Sequence, residues 1–373
     1  MKRWLSVSLS LLAISCANGS GGGGAPPLDT SPEVAVDVAA NAAPDLAPDV
    51  PLAPDAADVL DAIEPPAPVE HGGVTAAQVD DALVLSNGQV EVRYGLDAGT
   101  WDIFGPGDEP VLLAAEARVV MDDGTFEGVP IGTAGNPALA WEAEAVDDML
   151  GAGVLARVTV PTEGPTFTVE MSLRGAGTYL LVRSHAAWPE EGAGDLRVRD
   201  AVPLVADGRT GGALFVGADP FKHMVLDNGA DAYFDFAARV FRVGQGGSVF
   251  FPPGSVSNWN MALVDSASER SLVAGYLSFD KAIGLLRLHH ESAVAMELDG
   301  RTSFTRFEAF GRLEPAVPPP SNSALFAPGT RTLSSETFYL DVAPKTPFDG
   351  LEDWAARYAA WHGKTLWTDI PTG

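Results

Sequence analysis

Two imidazoles and a carboxylate stand together once in this sequence, as His289-His290-Glu291 at the end of the apolar run "IGLLRLHH". Three such donors suggest a metal. Successive side chains of a strand point to opposite faces, however, so both rings cannot easily turn to one ion, and a surface pair is the reading this spacing favours. His223, in "DPFKHMVLDNG", is a lone histidine and is read as structural or exposed. The sequence contains no Gly-x-Ser-x-Gly elbow, no His-Glu-x-x-His and no phosphate-binding loop. The glycines of "GQGGS" at 244–248 have no helix start behind them to hold a phosphate, and read as a turn. The expectation is therefore no metal, no cofactor and no catalytic residue.

Two stretches carry more polar and aromatic character than packing requires. "VLDNGADAYFDF" at 225–236 sets Asp231 and Asp235 beside Tyr233, Phe234 and Phe236, and "SVSNWNMALVD" at 255–265 sets Trp259 between Asn258 and Asn260. Aromatic rings stack on the C–H faces of sugars while amides and carboxylates bond the hydroxyls, so Trp259, Asn260, Asp231 and Tyr233 are the candidate sugar contacts. Trp259, Met261 and Leu263 also alternate as one face of a strand, and that spacing favours a core role for the tryptophan.

The elements that would hold these residues are strands. "ALVLSNGQVEVRYG" reads as a hairpin around Asn87-Gly88, with Val90, Val92 and Tyr94 alternating against Glu91 and Arg93. Runs such as "VLLAAEARVVM", "GVLARVTV", "TFTVEMSL", "YLLVRSHAAW", "SLVAGYLSF", "IGLLRLHH", "FTRFEAFGRL" and "ETFYLDVA" follow, punctuated by Gly, Pro, Asp and Asn. This pattern predicts an all-β fold, a large antiparallel sandwich over residues 74–345. No fixed internal period argues for a propeller or solenoid.

The two ends differ from the middle. "MKRWLSVSLSLLAISC" has Lys2 and Arg3, an apolar run too short to span a membrane, and Cys16, the single cysteine of the 373 residues. Residues 1–16 read as an export signal. Residues 17–70, dominated by Ala, Pro and Asp, read as a disordered spacer. Residues 346–373 read as a helix and linker, with Thr346 as N-cap, Pro347 in the first turn, Leu351, Trp354, Ala355, Tyr358 and Trp361 on one face, and Gly363 past its end. A formal charge of −27, from 23 Lys and Arg against 50 Asp and Glu, argues against nucleic acid as a partner.

Two resemblances add to this reading. Ala13-Ile14-Ser15-Cys16 resembles a bacterial lipobox, with Ala13 where Leu is usual, and implies a lipid on Cys16, the only membrane contact expected, and a place in the cell envelope. An ordinary secretory signal with an incidental cysteine is the alternative. "VLDNGADAYFDF", "SNWNMALVDSASERSLVAGYLSFDKAIGLLRL", "LSSETFYLDVA" and "LEDWAARYAAWHGKTLWTDIPTG", in that order, resemble the N-terminal half of the melibiase-type α-galactosidases. That resemblance implies a galactose-mutarotase-like supersandwich leading by a helix toward a catalytic (β/α)₈ barrel that this sequence does not include. The family's catalytic carboxylates lie in that barrel, so the resemblance gives no residue here a catalytic role. The partners it implies are an α-galactoside or other glycan, and a barrel encoded downstream or carried by a separate chain. A stand-alone surface lipoprotein that binds glycans, or a structural envelope protein, is the competing expectation.

Overall fold

The structure is a computed structural model. It describes residues 65–364 apart from 126–127, 176, 190–196, 219–222, 228–238, 243–253, 266–267, 269, 281, 292, 314–323 and 326–331. Cys16, Asp231, Tyr233, Leu366 and Trp367 therefore lie outside the described residues.

Alternation becomes architecture through the ladder. In the predicted hairpin, Ala82–Ser86 pairs with Glu91–Gly95, Val92 and Tyr94 are buried, and Gly88 takes the left-handed φ of +78° that its turn requires. Asn87 closes the turn with its side-chain oxygen, which accepts from Gln89 and Val90. Its Nδ2 donates to the carbonyls of Arg174 and Gly177, each at 2.8 Å, so the hairpin tip is tied to a loop of the other sheet.

Among the described residues the strands form two large antiparallel sheets and one small hairpin, Glu297–Leu298 with Arg301–Thr302. The larger sheet has thirteen strands. Its path runs Val69–His71, Val74–Val79, Ala82–Ser86, Glu91–Gly95, Thr100–Gly105, Glu109–Met121, Arg197–Asp207, Arg306–Arg312, Ile283–His289 and Gly254–Asn258. The ten-stranded sheet runs Arg239–Arg242, His223–Asp227, Asn260–Asp265, Ser271–Tyr276, Phe338–Asp341, Tyr179–Ala187, Thr166–Arg174, Gly151–Pro161 and Ala140–Asp148. One core cluster draws on both, with Trp101, Leu112, Leu204 and Phe307 from the first and Phe167, Met171, Leu263 and Phe338 from the second. Each large apolar side chain so buried contributes about 1.5–3 kcal/mol. The expected all-β sandwich is what the structure shows. Its first strand opens at Val69, ahead of residue 74 where the alternation becomes legible, because three residues are too few to display a period.

Two long strands escape a reading of the sequence. Ala140–Asp148 buries only Trp141 and is otherwise acidic and open, so it lacks an apolar face. Arg197–Asp207 contains Pro203, which ordinarily excludes a strand from the middle of a sheet. Here the ladders to both neighbours slip around it, between Ala201 and Leu204 on one side and between Val202 and Val205 on the other. The proline thus sits at a bulge, where no ladder donor is needed.

The helix spans Pro347–Trp361, capped by Thr346, whose hydroxyl accepts from Asp349 N at 3.1 Å. Gly363 follows with φ +62°. Leu351, Trp354, Tyr358 and Trp361 pack on Tyr179, Leu181, Ala262, Val273, Leu277 and Tyr339, the face of the ten-stranded sheet turned away from the core. Among the described residues no helix is long and apolar enough to cross a membrane.

Candidate functional site

Trp259 is the single residue between Gly254–Asn258 of the larger sheet and Asn260–Asp265 of the smaller one. Its N–H donates to Gly284 O at 3.0 Å, in the first sheet, and its carbonyl accepts from Tyr276 N at 2.9 Å, in the second. The sharp change of sheet requires φ +66°, a left-handed value uncommon for so bulky a residue. The expected core face is corrected by this geometry. Met261 and Leu263 are fully buried, but the reversal turns the tryptophan off their face and leaves it 45 % exposed. Its ring meets Phe279 with centroids 5.5 Å apart, and Phe279 meets Tyr358 of the helix at 5.8 Å. Asn260 opens the next strand half-buried, and its carbonyl accepts from Ser257 Oγ at 2.5 Å. Of the four candidate sugar contacts, these two are described and adjacent.

A second polar surface lies on the outer side of the larger sheet, built by the ladder itself. Glu116 and Arg118 on Glu109–Met121, Asp200 and Asp207 on Arg197–Asp207, Arg306, Glu308, Phe310 and Arg312 on Arg306–Arg312, and Arg287 on Ile283–His289 all turn away from the core. Their partners of opposite parity, such as Ala117, Leu204, Phe307 and Leu286, fill it. Register sets Glu308 opposite Arg287 and Asp200 opposite Arg312. The charges then pair. Arg118 holds Glu116 at 2.8 Å through Nε and reaches Asp207 at 3.7 Å. Glu308 takes Arg287 at 2.6 Å and Arg306 at 3.1 Å, and Asp200 takes Arg199 at 2.9 Å together with Arg312. Arg287 and Arg312 also cover the Phe310 ring, at 4.8 and 5.6 Å from its centroid.

Electrostatics on this face hold Arg118 charged. Burial alone would lower the Arg118 pKa, but its bond to Glu116 and the fields of Glu116, Asp207 and Glu308 raise it. The carboxylates lie deep, with Asp200 and Glu308 at 3 % and 4 % exposure, whereas the Arg287, Arg306 and Arg312 side chains keep about a third of their surface in solvent. The face therefore presents guanidinium donors, fixed from beneath by carboxylates.

His289 and His290 separate as their spacing requires. His290 is buried with Nδ1 at 3.0 Å from Ser303 O, while His289 stays half-buried at the edge of the polar face. Burial, with Arg306 among the opposing charges, lowers the His289 pKa, so its ring is neutral at pH 7. Among the described residues no group of three His, Cys, Asp or Glu is placed to hold a metal. Asp265, one of the acids beside the aromatic stretches, is fully buried and accepts from Ser268 Oγ and N at 2.5 and 3.2 Å.

The polar face was not anticipated from sequence. The signal was present as charges at every second position, Glu116 and Arg118, or Arg306, Glu308 and Arg312. The strand that joins these two sets is the one disguised by Pro203.

No protein-family model matches this chain, and no curated protein matches it. Among solved structures it is similar to the GH36 α-galactosidase AgaA of Geobacillus stearothermophilus, with TM-score 0.44 and 9 % identity, over 74 % of this chain and 43 % of that one. It is also similar to a putative aldose 1-epimerase of Klebsiella pneumoniae, with TM-score 0.44 and 10 % identity, over 80 % and 91 %. A third is the α-N-acetylgalactosaminidase NagBb of Bifidobacterium bifidum, with TM-score 0.40 and 11 % identity, over 80 % and 39 %. The chain thus spans about two-fifths of the length of the two glycosidases. At these identities the likeness concerns the path of the backbone and says nothing of a site. The neighbours include the family whose motif order the sequence resembles.

Proposed function

We propose that this chain is the non-catalytic sandwich part of an exported glycoside hydrolase of the α-galactosidase type, held at the cell envelope by a lipid on Cys16. In this reading the sandwich meets glycan through Trp259 and the guanidinium-lined sheet face, and cleavage belongs to a barrel in the same protein or in a separate chain. One observation carries it. Each of the four carboxylates on the polar face, Glu116, Asp200, Asp207 and Glu308, is ion-paired to an arginine. Glycoside hydrolysis needs carboxyl oxygens that can reach the glycosidic bond, whereas Glu116, Asp200 and Glu308 are buried beneath the arginines that bind them. Guanidiniums about a third exposed are instead suited to donating to sugar hydroxyls.

The purified chain is expected to show no turnover of nitrophenyl α-galactoside beyond a heat-inactivated control. It is expected to bind melibiose or raffinose weakly in ligand-observed NMR. Turnover that survives purification overturns the non-catalytic assignment, and the absence of any glycan contact overturns the binding one. In the native host, Cys16→Ala is expected to abolish lipid labelling, and unchanged labelling would remove the anchor from this picture.

A further inference from the structure

The helix covers part of the outer side of the ten-stranded sheet, and a group of polar side chains shares that side with it. Alternation selects them. Phe167, Val169 and Met171, then Leu180, Val182 and Ala186, and Leu333 turn into the core, so Glu170, Arg183, His185 and Ser334 stand on the opposite side. Register then brings them together. Ser334, on the short strand Thr332–Ser334, lies directly opposite His185 on Tyr179–Ala187, and His185 lies opposite Thr168, one period from Glu170 on Thr166–Arg174. None of these residues belongs to the polar face of the larger sheet or to the surroundings of Trp259.

Three of the side chains stand in line. His185 Nδ1 is 2.8 Å from Ser334 Oγ, and its Nε2 is 3.3 Å from Glu170 Oε2. Arg157 fixes Glu170 from the other side, donating through Nε to Oε1 at 3.0 Å. His185 and Arg157 together hold the Glu170 pKa down to about 2, so its carboxylate is ionised and can only accept. That decides the tautomer of the neutral ring. Nε2 carries its hydrogen toward Glu170, and Nδ1 presents a lone pair to the Ser334 hydroxyl, which donates. A hydroxyl bonded to an imidazole that a carboxylate orients is the arrangement that activates a serine nucleophile.

The group is within reach of solvent. The His185 and Glu170 side chains are 24 % and 20 % exposed, and Ser334 is half-buried. Arg183, two residues before His185 on the same side, supplies further donors. Its Nε donates to Ser335 O at 3.2 Å, which anchors the guanidinium beside the chain at Ser334. Among the described residues this is its only hydrogen bond, so both Nη groups remain for an oxyanion.

We propose that Ser334, His185 and Glu170 are the nucleophile, general base and orienting carboxylate of a site that hydrolyses small carboxylic esters, an activity separate from glycoside cleavage. Ser334 Oγ bonds to the ester carbonyl carbon as its proton passes to His185 Nδ1, and Arg183 donates to the carbonyl oxygen as it gathers negative charge. Collapse breaks the bond to the alkoxy oxygen, and the alcohol leaves with the proton from Nδ1. Water then bonds to the acyl carbon, gives one proton to Nδ1, and expels the Ser334 oxygen, which takes that proton back. One ester and one water become one carboxylic acid and one alcohol.

Hydrolysis of 4-nitrophenyl acetate by the full chain tests this, with phenylmethanesulfonyl fluoride as the covalent probe. Steady turnover above the buffer rate is expected, with a sulfonyl adduct on the peptide that holds Ser334. Ser334→Ala removes both, while the melting temperature moves little because only a half-buried hydroxyl is lost. His185→Gln lowers kcat about a hundredfold or more. Glu170→Gln, which no longer fixes the tautomer, lowers kcat and leaves KM in place. Absence of turnover above the buffer rate overturns the proposal. So does turnover or labelling that Ser334→Ala leaves unchanged, because the reactivity would then belong to other groups. Neither result bears on glycan contact through Trp259.

Discussion

Trp354 lies directly over Gly275. A Cβ on that glycine would fall 2.3 Å from the indole nitrogen, which donates to the neighbouring carbonyl of Tyr276 at 3.2 Å. The bare backbone at 275 therefore sets how closely the helix approaches the sheet. Gly275→Ala forces the indole outward, and the expected loss is about 2 kcal/mol of overpacking strain and displaced contact. Chemical denaturation measures it. An unchanged midpoint would mean that the helix contributes little to folding.

Glu116 and Arg118 form a pair in which neither side chain is more than 11 % exposed. Glu116→Gln removes the negative partner and leaves the guanidinium with Asp207 at 3.7 Å. Breaking such a buried pair costs about 3 kcal/mol, because one charge stays buried and poorly compensated. Urea denaturation, which adds no salt to screen the pair, reads this, and a loss below about 1 kcal/mol would show that water reaches the pair.

Glu170 gives the acid limb of stability. Its bonds to His185 and Arg157 outweigh burial and hold its pKa down to about 2, from an ordinary value of 4.5. A depressed carboxyl stabilises the fold fully above its unfolded pKa, and that contribution is lost as pH falls from about 4.5 through about 2. Glu170→Gln is therefore expected to cost about 1–2 kcal/mol at neutral pH, after allowance for partial solvent screening, and nothing near pH 2. Urea unfolding across this range should show the two proteins converging as pH falls. Parallel curves would exclude the ion pair as the cause.

Trp259 allows a test by sign. At an ordinary strand position Ala is more stable than Gly by roughly 0.5–1 kcal/mol, but at φ +66° the preference inverts. Trp259→Gly is thus expected to melt above Trp259→Ala. Both should lose glycan contact in ligand-observed NMR. An Ala variant more stable than the Gly variant would show that the turn relaxes once the indole is gone.

Local rules were legible because their causes are local. The Asn87-Gly88 turn, the Thr346 cap, the helix face of Trp354 and Tyr358, and the inward set Val90, Val92 and Tyr94 each depend on residues within one turn or one period, and the structure contains all of them. Met261 and Leu263 also fell on the side their alternation gave. Trp259 did not, although it continues the same spacing, because the chain changes sheets at that residue.

By itself, the sequence determined that the described chain would be mainly β, which sides of its regularly alternating strands would be apolar, and where the helix would begin and end. Tertiary structure alone decided that Pro203 could sit in a central strand, through bulges in two ladders. It alone brought Glu308 to Arg287, Asp200 to Arg312, and Glu109 to Arg270 and Arg301. The reason is register. A period of two assigns each side chain to a face, but which charge it meets there depends on pairing with strands from 21 residues away, for Glu308 and Arg287, to 192 away, for Glu109 and Arg301, and nothing local encodes that distance.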